Sequence, residues 1–104
     1  MIKVERMKQP EECTSIDDAR NGIDIIDRQI VTLLGERALY VNEVVKYKKP
    51  DKDSIIAIER KEEVLKIRRE WAMENGLDPD VIETVYRTLI DYFIDREMKI
   101  LNLE

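Results

Sequence analysis

Residues 15–49 read SIDDARNGIDIIDRQIVTLLGERALYVNEVVKYKK. Apolar side chains recur at Ile16, Ala19, Ile23, Ile26, Ile30 and Leu33, in alternating steps of three and four. Such steps form the a/d seam of a helix that packs along another helix. The next seam position is Arg37, a cation where an aliphatic side chain belongs, and the seam resumes at Tyr40 and Val44. Local rules fail most often at functional sites, so Arg37 is a candidate binding residue.

Working outward, Ser15 and Asp18 have the spacing of a capping box, and Asp17 and Asp18 suit the positive end of a helix. The helix is expected to run to about Lys48, with Pro50 as its stop. That is about 50 Å at ~1.5 Å per residue. Gly22 and Gly35 lie inside it at a cost of about 1 kcal/mol each, which a closely packed neighbouring backbone would explain. Residues 1–14 are expected to be an extended lead-in, since Pro10 discourages helix before Cys13.

A polar turn, KKPDKDS, follows. A second helix is expected from about Ser54 to Asn75, with Ile55, Ile58, Leu65, Trp71 and Ala72 as burial candidates and Gly76 as its C′ residue. Asp78-Pro79 is a helix start, with Asp as N-cap and Pro at N1. The third helix then runs to about Leu101. Its apolar face carries Ile82, Val85, Tyr86, Leu89, Ile90, Phe93 and Ile94, and the same steps land next on Glu97. The third helix therefore also carries a charge where its face should be apolar. The fold class is all-α: one domain of three helices over residues 1–104, the first much longer than the others. Helices two and three cannot cover that seam alone, so an intertwined homodimer is expected.

Composition narrows the function. The net charge is −5 and no run of basic residues is present, which argues against nucleic-acid binding. The chain has one cysteine, Cys13, and no histidine. A lone thiol suits a reducing cytoplasm, and as a nucleophile it has no histidine to activate it. The missing histidines also remove the commonest general base and metal ligand, so neither a metal nor a cofactor is expected. No secretory signal is visible in residues 1–15 and no apolar run approaches ~20 residues, so no membrane association is expected.

Cations are the remaining candidates. Arg37 and Lys48 are eleven residues apart, about 20° around a helix and about 16 Å along it. Their side chains can bracket an anion the size of benzoate. Arg20 lies about 25 Å before Arg37 on the same rod, and only a partner's antiparallel helix brings it to an equivalent pocket. The plainer alternatives are a solvated Arg20 paired with Asp24 and an Arg37 paired with Glu97. Tyr40, Tyr86, Tyr92 and Trp71 are ordinary core candidates. A non-catalytic helical dimerisation module is thus the alternative from another class.

The run AR-N-G-I-D-x-I-D-x-x-I-x-x-L-L-G-E-R-A-x-Y-V-x-E-V-x-K-Y-K resembles the first helix of the all-helical chorismate mutases. MKQPEECTSIDDAR, GERALYV and RREWAMENGLD are similar to the branch that holds the isochorismate-pyruvate lyases. The resemblance implies an intertwined dimer with two equivalent sites. It implies that Arg20 is donated by the partner subunit, and that Arg37 and Arg60 bind substrate carboxylates. Lys48 would contact the ether oxygen, and Glu97 stands where glutamine is usual. Val44, Ile90, Phe93 and Ile94 would line the pocket. The implied substrates, chorismate or isochorismate, are dicarboxylates that arginine forks bind well. The implied reactions are pericyclic and need no base, metal or nucleophile. Lys61, where mutases often carry glutamate, favours the lyase, whereas Ile58, where the lyase branch usually has proline, weakens it. The lyase reaction is the preferred reading, with chorismate mutase as the alternative.

Overall fold

The computed structural model describes residues 8–103. After a 3-10 turn at Pro10–Glu12 it contains four α-helices: α1 Ile16–Val45, α2 Lys52–Ile56, α3 Ile58–Glu74 and α4 Pro79–Ile100. Among the described residues there is no strand. The chain packs as two units, the first ending at Glu43 and the second starting at Val44.

In the first unit, the lead-in makes a 3-10 turn at Pro10 where an extended segment is expected; residues 1–7 of that segment lie outside the described residues. Helix α1 starts on half a capping box. The Asp18 N–H donates to Ser15 Oγ at 3.0 Å. The Asp18 carboxylate does not return to Ser15; it accepts from the Thr14 N–H at 3.0 Å, the Thr14 hydroxyl at 3.1 Å and Lys8 at 2.9 Å. These bonds, with that from the Thr14 N–H the largest, hold its pKa down at about 2. Along α1 the seam residues Ile16, Ile23, Ile26, Ile30 and Leu33 are exposed. No described atom lies within 4 Å of where a Cβ would stand at Gly22 or Gly35, so close packing within the chain does not explain these glycines.

α1 ends at Val45, three residues short of Lys48. Its end tightens through i→i+3 bonds, the Tyr47 N–H to Val44 O at 3.0 Å and the Lys48 N–H to Val45 O at 3.1 Å. The eleven-residue angular spacing that assumed a continuous helix through Lys48 therefore does not apply.

The second unit holds the expected second helix in two pieces. α2 and α3 are separated by Ala57, whose φ of 45° and ψ of 59° lie in the left-handed region. α3 closes on the expected Gly76, at φ 70°. The Leu77 N–H reaches Ala72 O at 2.8 Å and the Gly76 N–H reaches Met73 O at 3.2 Å, a Schellman motif. Asp78 caps α4 by accepting the Asp80 N–H at 2.8 Å, with Pro79 at N1 as expected. The four-residue link makes α3 and α4 an antiparallel hairpin. Ion pairs follow that register: Arg69 meets Asp80 at 2.8 Å and Glu83 at 3.2 Å near the turn, and Lys61 meets Asp91 at 2.6 Å further along.

The apolar core of this unit is Ile55, Val64, Leu65, Ala72 and Met98. Ile55, Leu65 and Ala72 are where the sequence puts them. Ile58 and Trp71 are exposed instead; Ile58 opens α3 directly after the break at Ala57, and Trp71 carries the Arg68 guanidinium 4.5 Å above its ring. Tyr40 and Tyr92 are also exposed, leaving Tyr86, 5.6 Å beneath Arg68, as the half-buried tyrosine of the core candidates.

Candidate functional site

Two of the candidate residues meet in the second unit. Lys48 sits in the turn after α1 and Glu97 in the last turn of α4. Lys48 Nζ stands 3.9 Å from Glu97 Oε2 and donates a 3.1 Å hydrogen bond to the backbone carbonyl of Ile55, in the last turn of α2. Glu97 is the one charged residue that is buried among those described, at 9% exposure. Its Oε2 has no hydrogen-bond partner. The distance to Lys48 is too long for a hydrogen bond, so the carboxyl feels the ammonium's charge without being satisfied by it.

That combination sets the electrostatics. Burial pushes the Glu97 pKa above its ordinary value of 4.5, and the Lys48 charge offsets part of the rise. The carboxyl therefore holds its proton more tightly than a free glutamate does, and a protonated carboxyl is a hydrogen-bond donor. Next to it stands a fixed ammonium. An ammonium and a protonated carboxyl are both donors suited to an oxygen on which negative charge grows.

On α4, Ile90, Phe93 and Ile94 are half-buried at steps of three and four before Glu97, and present an apolar stripe leading to it. Val44, in the last turn of α1, is exposed. Arg60 is exposed and turned to its own helix, where it pairs with Glu63 at 2.7 Å. It lies on an open groove of about 480 Å³ at the α2–α3 junction, lined also by Asp53, Ile56, Ala57 and Ile58; neither Lys48 nor Glu97 lines that groove. Lys61 is committed to Asp91 across the hairpin. Arg20 and Arg37 lie on α1 in the first unit, Arg20 exposed and Arg37 half-buried.

Sequence reasoning missed the Ile55 carbonyl. A backbone acceptor leaves no trace in residue type. The only hint was that Ala57 is the unbranched residue in Ile55-Ile56-Ala57-Ile58, hence the one best able to leave the right-handed region.

The chain is all-α with a 30-residue first helix, and it sets a half-buried lysine beside a buried glutamate that follows an apolar stripe on α4. Residues 19–98 match the chorismate mutase type II family, a span that covers most of the chain and both units, and the chain belongs to that family. It is 40% identical over 93 residues to the isochorismate pyruvate lyase of Pseudomonas aeruginosa, covering 89% of this chain and 91% of that protein. It is 36% identical over 73 residues to the T-protein of Haemophilus influenzae, covering 70% of this chain and 19% of that protein. The chain is an enzyme of this family with a chorismate-type small molecule as substrate. No helix among the described residues is long and apolar enough to cross a membrane.

Proposed function

We propose that the protein is an isochorismate-pyruvate lyase. The observation that carries this reading is the pairing of Lys48 with the buried Glu97, set in a chain 40% identical to a named isochorismate pyruvate lyase along most of both sequences. In the reaction, the ether C–O bond of isochorismate breaks as a ring hydrogen passes to the terminal CH2 of the enolpyruvyl group. That CH2 becomes the methyl of pyruvate, the ether oxygen becomes its carbonyl oxygen, and the ring aromatises to salicylate. Atoms and electrons balance without a co-reactant.

Negative charge grows on the ether oxygen as the bond stretches. Lys48 and protonated Glu97 are the donors that stabilise it. Arg20, Arg37 and Arg60 bind the substrate carboxylates as bidentate forks, and Val44, Ile90, Phe93 and Ile94 hold the apolar ring in its reactive conformer. Arg60 reaches the substrate by leaving Glu63. That is cheap, because an exposed pair at adjacent helical turns contributes ~0.5 kcal/mol or less.

The protein acts as a homodimer in which Arg20 serves the partner's site. The exposed isoleucines and leucine of the α1 seam support this, since a seam of that length needs a covering helix. A second reading, chorismate mutase, rests on the family itself, whose description names that activity. The same two donors would stabilise the ether oxygen of chorismate on the way to prephenate.

Purified protein incubated separately with isochorismate and with chorismate decides between them. Salicylate and pyruvate from the first, exceeding prephenate from the second, is the expected result. Prephenate alone would replace the lyase by the mutase.

A further inference from the structure

Ala57 occupies a backbone conformation that alanine rarely adopts, in the middle of a segment the sequence writes as one helix. Alanine is the best helix former, so local propensity does not cause the break. The hydrogen bonds show what the break does. The ladder runs as far as the Ala57 N–H to Asp53 O at 2.9 Å and restarts with the Lys61 N–H to Ala57 O at 3.0 Å. An unbroken helix would give the Ile55 carbonyl to the N–H four residues on. Here that carbonyl accepts the Lys48 ammonium at 3.1 Å, while the Ile55 side chain is anchored in the core at 1% exposure. The acceptor is therefore rigid, and it exists because the helix stops.

We propose that Ala57 is a positioning residue: its left-handed backbone frees the Ile55 carbonyl, which fixes the Lys48 ammonium beside Glu97. The inference rests on the lysine's role given above, but its geometry can be tested without turnover. Of residues 55–58, Ala57 is the only one without a branched Cβ. Left-handed φ is a severe outlier for branched residues and free for glycine, so the break falls where its cost is smallest.

The test measures the Glu97 carboxyl titration by carbon NMR in the full-length chain. Lys48→Met should raise the Glu97 midpoint by removing the offsetting charge. Ala57→Val, which disfavours the left-handed backbone, should raise it in the same direction, and should add nothing in the Lys48→Met background. Ala57→Gly, which keeps the break and relieves the strain, should leave the midpoint in place and raise Tm. In turnover, Ala57→Val should lower kcat about tenfold or more with little change in KM. A Glu97 midpoint unmoved by Ala57→Val, or moved equally in the absence of Lys48, overturns the proposal. Should Ala57→Val fail to fold, a fall in Tm or a moved midpoint in Ala57→Gly overturns it instead. Failure of the wild type to turn over either substrate would count against the function and leave the titration result standing.

Discussion

Lys48 Nζ stands 3.9 Å from Glu97 Oε2, close enough to feel its charge and too far to satisfy it with a hydrogen bond. A carboxylate at hydrogen-bond distance from an ammonium would be locked in its ionised form. Glu97 is held short of that, buried and with Oε2 unpartnered, so burial outweighs the ion pair and its pKa rises. The Lys48 charge offsets only part of that rise.

Activity should therefore depend on pH through Glu97. Only the protonated form donates, so kcat should fall as pH rises through the raised pKa. Glu97→Gln, which donates at every pH, should flatten that limb and exceed the wild type at alkaline pH. A pH–rate profile of the two proteins checks this; a wild-type rate flat from acid to neutral pH would count against it.

Stability should show the same ionisation. The native carboxyl holds its proton more tightly than the unfolded one, whose pKa is about 4.5. The native state therefore gains stability from this group below about pH 4.5 and loses it as pH rises through the folded value. Glu97→Gln should raise Tm at neutral pH, with the gain shrinking toward pH 4. Thermal melts across that range give the answer.

Removing the ammonium should cost far more than pH does. Lys48→Ala takes away a donor to the developing oxyanion, and losing one such donor lowers kcat about 10²–10³-fold. KM should change much less, because the ether oxygen carries its charge only in the transition state. Steady-state kinetics separate the two parameters.

The shared site predicts complementation. Arg20→Ala and Arg37→Ala should each be nearly inactive alone. Random mixing makes half the dimers mixed, and each mixed dimer has one site with both arginines, so about a quarter of wild-type activity should return. Verified subunit exchange without recovery would argue that each chain builds its own site.

Core packing sets the stability of the second unit. Leu65→Ala opens a cavity where the side chain is 2% exposed, and should cost ~2–5 kcal/mol in denaturant melts.

Much of this was legible in the sequence for local reasons. The seam of α1, the Gly76 stop and the Asp78-Pro79 start are each written within a few residues, and the helices form where those signals stand. Ile55, Leu65 and Ala72 were legible as core candidates, although the same reading also selected Ile58 and Trp71, which are exposed. The family was legible in the run of residues along α1. Glu97 stood out as a charge on an apolar face, and its burial gives that oddity its chemistry.

What the sequence could not hold was anything decided by a distant part of the chain. The division of residues 52–74 into two helices at Ala57, and the exposure of Ile58 and Trp71 on the second of them, are not written in local periodicity. Residues 54–75 read as one helix, and alanine at 57 does nothing locally to interrupt it; burial of Ile55 and the Lys48 contact to its carbonyl accompany a different local minimum. Local propensity differs by tenths of a kcal/mol per residue, and tertiary burial by several times that. The sequence thus determined the helices, the family and the two residues that break their patterns. The tertiary structure decided that Lys48 and Glu97 meet, in surroundings where burial raises the carboxyl's pKa more than the nearby ammonium lowers it.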